Sequence, residues 1–368
     1  MVISSFSLIF AMTQDNYLFY LLLKIISYIF ADNMRNNRIN WIDWAKCIAI
    51  TMVVFGHIPQ AEGSFLPYYI CTFHIPLFFF ISGYLTKVRL DAKEELKKCI
   101  KSLIIPYILY NIIFYPYWAI RLYIDQSISF SVFDYVIKPL IGLPFLQINS
   151  PISSSVNGAM WFIAVLLIMR LTVFLCNHSS KPLLYLKLNI ILYVGLFVFV
   201  NYQRTSLPLT IEGLLKCMPL YILGYLTKQY KWLEENSIQK DFRRSFILIL
   251  ISIGTSFIHR SLDCFTFHIT TFYVFNLSAI FGILYLCKTL NNINSPKLVN
   301  ISIGTLMIMG LHWMFIGTTN YVLEHIFSIN TGITYSWAVA IFFAICIDAA
   351  IYPLILIAKK RFPILLGK

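Results

Sequence analysis

Charge is scarce in this chain. Of its 368 residues only 12% are charged, and the 16 acidic residues are outnumbered by 29 Lys and Arg. With 59% hydrophobic residues and a mean hydropathy of +0.74, this composition excludes an ordinary water-soluble domain and describes a polytopic membrane protein. Clustered cysteines are also missing. The eight cysteines, at 47, 71, 99, 176, 217, 264, 287 and 346, show neither a CxxC nor the Cys/His spacing of a metal site, so they read as free packing thiols with no metal. There is no P-loop, GxSxG elbow or Rossmann fingerprint, which removes the usual soluble ways of holding phosphates or activating a serine. No internal repeat, domain boundary or low-complexity tract interrupts the chain. A net charge of +13 invites nucleic acid as a partner, but the basic residues are scattered between apolar runs, so topology explains them better.

What is present is a succession of apolar segments long enough to cross the hydrocarbon layer at about 1.5 Å per residue. Ten are expected, at 44–60, 66–86, 100–124, 157–177, 183–201, 212–228, 244–260, 267–288, 301–324 and 333–357. The fold class is therefore all-α, a polytopic bundle of about ten transmembrane helices. Basic residues crowd alternate connections, among them Arg35 and Arg38, Lys87 to Lys101, Lys228 to Arg244 and Lys359 to Lys368. The opposite connections offer only Arg121, Lys138, Arg204 and Arg260. By the positive-inside rule both termini are cytoplasmic. Residues 1–33 contain a lysine-interrupted apolar run, Tyr17 to Phe30, that is too short to span, and Met34 opens a natural cytoplasmic start. They are read as a weakly ordered extension or a misassigned start, with 34–368 forming one transmembrane domain. The long connection 125–156 is rich in Pro, Ser and Asn around an apolar piece, Tyr135 to Leu146. It reads either as an interfacial segment lidding an outward cavity or as a surface loop.

The costly residues gather in Ile39 to Leu85, two apolar segments joined by PQAEGS, which read as a helical hairpin. Eleven steps of about 100° carry Lys46 to His57 through three turns and about 20°, so both share a stripe that Asp43 extends by one turn. A charge at the bilayer centre costs at least about 2.5 kcal/mol, so this stripe should face a hydrated tunnel within the protein. Lys46 would stand at the inner mouth and His57 about 16 Å further out, where His74 of the second span reaches a similar depth. A histidine is suited to take a proton from a hydroxyl and return it to a leaving group. Each histidine is also readable as a hydrogen-bonded core residue, but a pair on a stripe with Asp43 and Lys46 favours chemistry. Lys87 and Arg89 emerge beside Lys46, and three cations at one mouth suit a polyphosphate. Lys93, Lys97, Lys98 and Lys101 behind them read as topology and contact with anionic lipid. On the outer side, Asn157 and Trp161 open the fourth span, Arg204 and Glu212 flank the start of the sixth, and His312 sits in the ninth beside Trp313. They are candidates for holding a substrate, though tryptophans also anchor interfaces.

The order D-x-x-K-x10-H in IDWAKCIAITMVVFGH, then FHIPLFFFISGYL with Lys87 and Arg89, then MWFIAVLLIMR, then SIGTLMIMGLHW, resembles the acyltransferase-3 family of bacterial membrane acyltransferases, especially its fucose O-acetylase-like members. The likeness runs from about Ile39 to the end. It implies a role in acyl transfer for Lys46 and His57, and maps the family's basic pair after the second span onto Lys87 and Arg89. Many members carry Arg where this chain has Lys46, which keeps the charge but loses the bidentate fork. The resemblance implies transfer of an acyl group, usually acetyl from acetyl-CoA, to a hydroxyl of a polysaccharide or lipid-linked glycan at the outer face of the bacterial inner membrane. In that scheme His57 is the base, His74 or Asp43 supports its imidazole, Lys46, Lys87 and Arg89 hold the CoA phosphates, and no metal takes part. The competing reading is a glycan or small-solute transporter using the same polar stripe, against which stands the missing internal symmetry.

Overall fold

A computed structural model describes residues 38–60, 63–89, 91–124, 131–144, 149–235, 237–261, 265–328 and 334–368. The expected extension 1–33 lies outside them. In hydrocarbon every backbone N–H and C=O must be satisfied within its own segment, and the chain meets this with helices. They are α1 (Asn40–His57), α2 (Phe65–Leu85), α3 (Ala92–Ile124), α4 (Trp161–Asn177), α5 (Pro182–Tyr202), α6 (Leu209–Gln229), α7 (Ile238–Ser261), α8 (Phe265–Thr289), α9 (Pro296–His325) and α10 (Trp337–Arg361). All but α1, nine among the described residues, are long and apolar enough to cross a bilayer. The protein is thus an all-α, multi-pass membrane protein.

Local chemistry explains where the ends fall. α1 stops at His57 because Ile58 turns extended ahead of Pro59. α9 begins five residues earlier than expected, at Pro296, whose fixed φ and missing N–H suit a first helical turn. α1 is the least lipid-like helix because it meets little lipid: α2, α8, α9 and α10 pack around it and bury residues from Trp41 to Phe55. The burial of whole helices sorts the bundle. The apolar window of α6 is 67% buried and that of α5 only 11%, so α5 is an outer, lipid-facing helix and α6 an inner one.

Two smaller pieces complete the walls. Between α3 and α4 lies a short helical run, Phe133–Ile137 continued by Lys138–Gly142, held on α3 by Tyr115 Oη donating to the Tyr135 carbonyl at 2.7 Å and Tyr107 Oη to that of Leu143 at 2.7 Å. After α10, the turn Pro363–Leu366 folds back onto α3, where Tyr110 Oη donates to the Leu365 carbonyl at 2.8 Å.

α2 and α6 meet backbone to backbone. A Cβ on Gly83 would lie 2.0 Å from the Tyr221 carbonyl oxygen, and one on Gly224 would lie 2.1 Å from that of Phe80. Small residues let membrane helices approach this closely. Gly83→Val should therefore cost at least the roughly 1–3 kcal/mol of an overpacked core, seen as a lower melting temperature of the detergent-solubilised protein. An unchanged melting temperature would contradict the contact.

Candidate active site

The C-terminal end of α1 carries His57. Its Nδ1 lies 2.8 Å from the Val53 carbonyl, which only accepts, so Nδ1 holds the proton and the Nε2 lone pair is left for another partner. His74 and His312 are held the same way, by the carbonyls of Ile70 at 2.8 Å and Ile308 at 3.0 Å. Only His57 of the three is exposed; the other two are buried. The His312 ring centroid is 4.8 Å from that of His57, and the Trp313 ring meets His57 edge-on at 5.2 Å. His312 Nε2 is buried without a hydrogen-bond partner, as is Asn157 Oδ1. An unsatisfied buried polar atom costs about 1–3 kcal/mol, and such atoms gather where polar ligands bind.

Four cavities run along the bundle in a row, each sharing wall residues with the next. The first, of about 470 Å³, is lined by Arg38, Asp43, Lys46, Lys87 and Lys228, where the start of α1 and the ends of α2 and α6 come together. It shares Lys46, Leu85 and Thr86 with a second, of about 340 Å³, which adds Arg170, Tyr221, Leu366 and Gly367. The second shares Phe162 and Met309 with a third, of about 580 Å³, containing His57, Trp161, Trp313, Asn149 and Ser155. The third shares His57 with a fourth, of about 510 Å³, lined by Gln60, Tyr68 and Arg260. The single tunnel expected from the stripe is a row of chambers, closed between the second and third by two apolar side chains.

The basic end is strongly electropositive. Burial lowers the pKa of Lys368, beyond α10, and the nearby Arg38, Lys359 and Lys98 lower it further. In the connection after α6, hydrogen bonds from Lys240 and then Arg244 hold the Glu235 carboxyl down at about 2.

Several expected roles need correcting. Asp43 does not support the His57 imidazole: it accepts from Arg38 at 2.8 and 3.2 Å and from the Ser302 hydroxyl, about 21 Å along α1 from His57. Its carboxylate neutralises a neighbouring cation instead. Arg89 pairs with the buried Glu95 at 3.3 Å and does not line the first cavity, while Lys87 does share that cavity with Lys46. His74 packs behind Gly56, leaving His312 as the imidazole packed against His57, inclined to it at 59°. Asn157 ties α9, its Nδ2 donating to the Gly310 carbonyl at 2.9 Å, while Trp161 reaches the third cavity. Arg204 is exposed in the turn before that cavity's rim at Ser206, and Glu212 is engaged by Lys216. Arg170 escaped the sequence reading. It pairs with Glu95 and lines the second cavity; the signal that finds it is a lone cation in an otherwise apolar span.

Within this helical bundle an imidazole lies in the aromatic-lined third cavity, two chambers along from the basic one. The sequence itself gives the family: the acyltransferase-3 family, described as an acyltransferase domain, matches residues 39–352, so the chain belongs to it. It is also 27% identical over 229 residues to the nodulation protein NolL of Mesorhizobium japonicum, a match covering 58% of this chain. The chain spans about half, 54%, of that relative's length. No solved structure matches.

The unequal exposure of the three imidazoles is directly measurable. Diethylpyrocarbonate should modify His57 in the folded protein well before His74 or His312, read by mass spectrometry of the corresponding peptides. Equal rates for all three would contradict the placement.

Proposed function

We propose that the chain moves an acetyl group from cytoplasmic acetyl-CoA to a hydroxyl of a cell-surface or exported glycan, within the bacterial inner membrane and with both termini in the cytoplasm. The observation that carries this reading is the row of cavities, with cations at one end and an accessible imidazole, lone pair free, about 16 Å further along α1. That separation suits a slender thioester arm with phosphates at its base. Lys46, Lys87, Lys228 and Arg38 would hold the phosphates, with Arg170 further in. Arg38 is already half engaged by Asp43, which leaves the three lysines as the freer charges.

In the third cavity the glycan hydroxyl gives its proton to His57 Nε2 as its oxygen bonds to the thioester carbonyl carbon. The carbon–sulfur bond then breaks, and the proton passes from His57 to the departing thiolate, giving CoA-SH. Trp161 and Trp313 offer flat apolar faces to a sugar ring. His312, its ring inclined at 59° to that of His57 with centroids 4.8 Å apart, packs against the imidazole and limits its rotation. A positioned base of this kind contributes about 10²–10⁴-fold in rate.

His57→Ala should therefore lower label transfer from radiolabelled acetyl-CoA to the glycan fraction of permeabilised membranes by about 10²–10⁴-fold while CoA still binds. Retention of the native rate would overturn the mechanism. Lys46→Ala and Arg170→Ala should weaken CoA binding by isothermal titration about tenfold, as expected for one charge-assisted contact worth about 1.5–3 kcal/mol. Native affinity in both would remove the phosphate role.

A further inference from the structure

We infer that Met309 is the movable plug between the donor and acceptor chambers and sets the size of acyl group that passes to His57. The inference rests on the acyl-CoA reading above and adds to it the residue that selects the acyl chain. The second and third cavities have two lining residues in common, Phe162 and Met309, so an acyl thioester rising from the cationic chambers must pass between these side chains. Both are buried, at 5% and 4% exposure, which closes the passage in this structure.

The two halves of the plug are not equally free. Phe162 is stacked on Phe79 with ring centroids 4.4 Å apart and meets Phe78 edge-on at 5.9 Å. Moving it would break up an aromatic cluster deep in the core. The backbone beside Met309 is also fixed. A Cβ on Gly310 would come 2.5 Å from the Tyr110 ring, so α9 lies directly against that fully buried ring, and the Gly310 carbonyl is held by Asn157. With backbone and facing ring immobile, the unbranched Met309 thioether is the part that can swing, since its three side-chain torsions let it vacate and refill an irregular gap.

This arrangement fits a small acyl group. An acetyl methyl needs little more than a rotamer change, whereas each further methylene must be accommodated against Phe162. Met309 also lies one helical turn before Trp313, so the passage opens directly beneath the face on which a sugar would rest. The plug then keeps water in the acceptor chamber from the thioester until an acyl group is presented.

The test compares acetyl-CoA with butyryl-CoA as radiolabelled donors in permeabilised membranes, with CoA affinity measured separately on the purified protein. Met309→Ala should raise the butyryl-to-acetyl ratio of kcat/KM about 10-fold or more, the scale on which a pocket discriminates methylenes. Met309→Phe should cut acetyl transfer at least about 10-fold with native CoA affinity. If Met309→Ala does not fold, Met309→Val is read in the same way. A native ratio in the small variant together with native transfer in Met309→Phe overturns the plug while leaving the acyl-CoA reading intact. A native protein that moves neither acyl group overturns both.

Discussion

The structure depends on the pairing of α1 with α9. Near the start of α1 Lys46 Nζ donates to the Ser302 carbonyl at 2.5 Å, and the Ser302 hydroxyl donates to Asp43. At the C-terminal end of α1 His57 meets His312 and Trp313. The eleven residues from Lys46 to His57 equal the eleven from Ser302 to Trp313, so the two helices run parallel and in register. Asp43, Lys46 and His57 of α1 all meet α9, while Thr51 donates to Asp348 of α10. That is how a helix too polar to face lipid is kept in the middle of a bundle.

From this pairing follow the positions of the other elements. α2 closes the far side of the cavities through its backbone contact with α6, and α4 brings Trp161, Phe162 and Arg170 down one wall. α5 and α7 remain outside, where apolar composition suffices. The result separates two environments only a few helical turns apart, a cationic one suited to phosphates and an aromatic one suited to a sugar. An imidazole stands in the aromatic one with its Nε2 lone pair unengaged.

Much of this was legible in the residues. Helix number and type followed from span length, and the shared stripe of Lys46 and His57 followed from the helical period, because both are local properties. Partner choice was not local. Nothing near Asp43 in sequence announces Ser302, and the histidine packed against His57 comes from the ninth helix instead of the adjacent hairpin arm. Arg89 lost its expected place to Glu95, an i+6 neighbour whose own partner, Arg170, lies seventy-five residues away. Long-range pairs of this kind depend on how helices are arranged around one another, which periodicity does not encode. The relevant cue for Arg170 was energetic: a solitary charge in an apolar span needs a buried partner.

The central claim is that one donor molecule bridges the cationic end of α1 and the imidazole at its other end. The most direct measurement is an electron cryomicroscopy structure with a non-transferable acetyl-CoA analogue in which a methylene separates sulfur from the acetyl carbonyl. The account predicts phosphate density among Lys46, Lys87 and Lys228 and the analogue's carbonyl in the third cavity beside His57 Nε2. A nucleotide bound on the outer side, or a carbonyl remote from His57 with the phosphates in place, would contradict it.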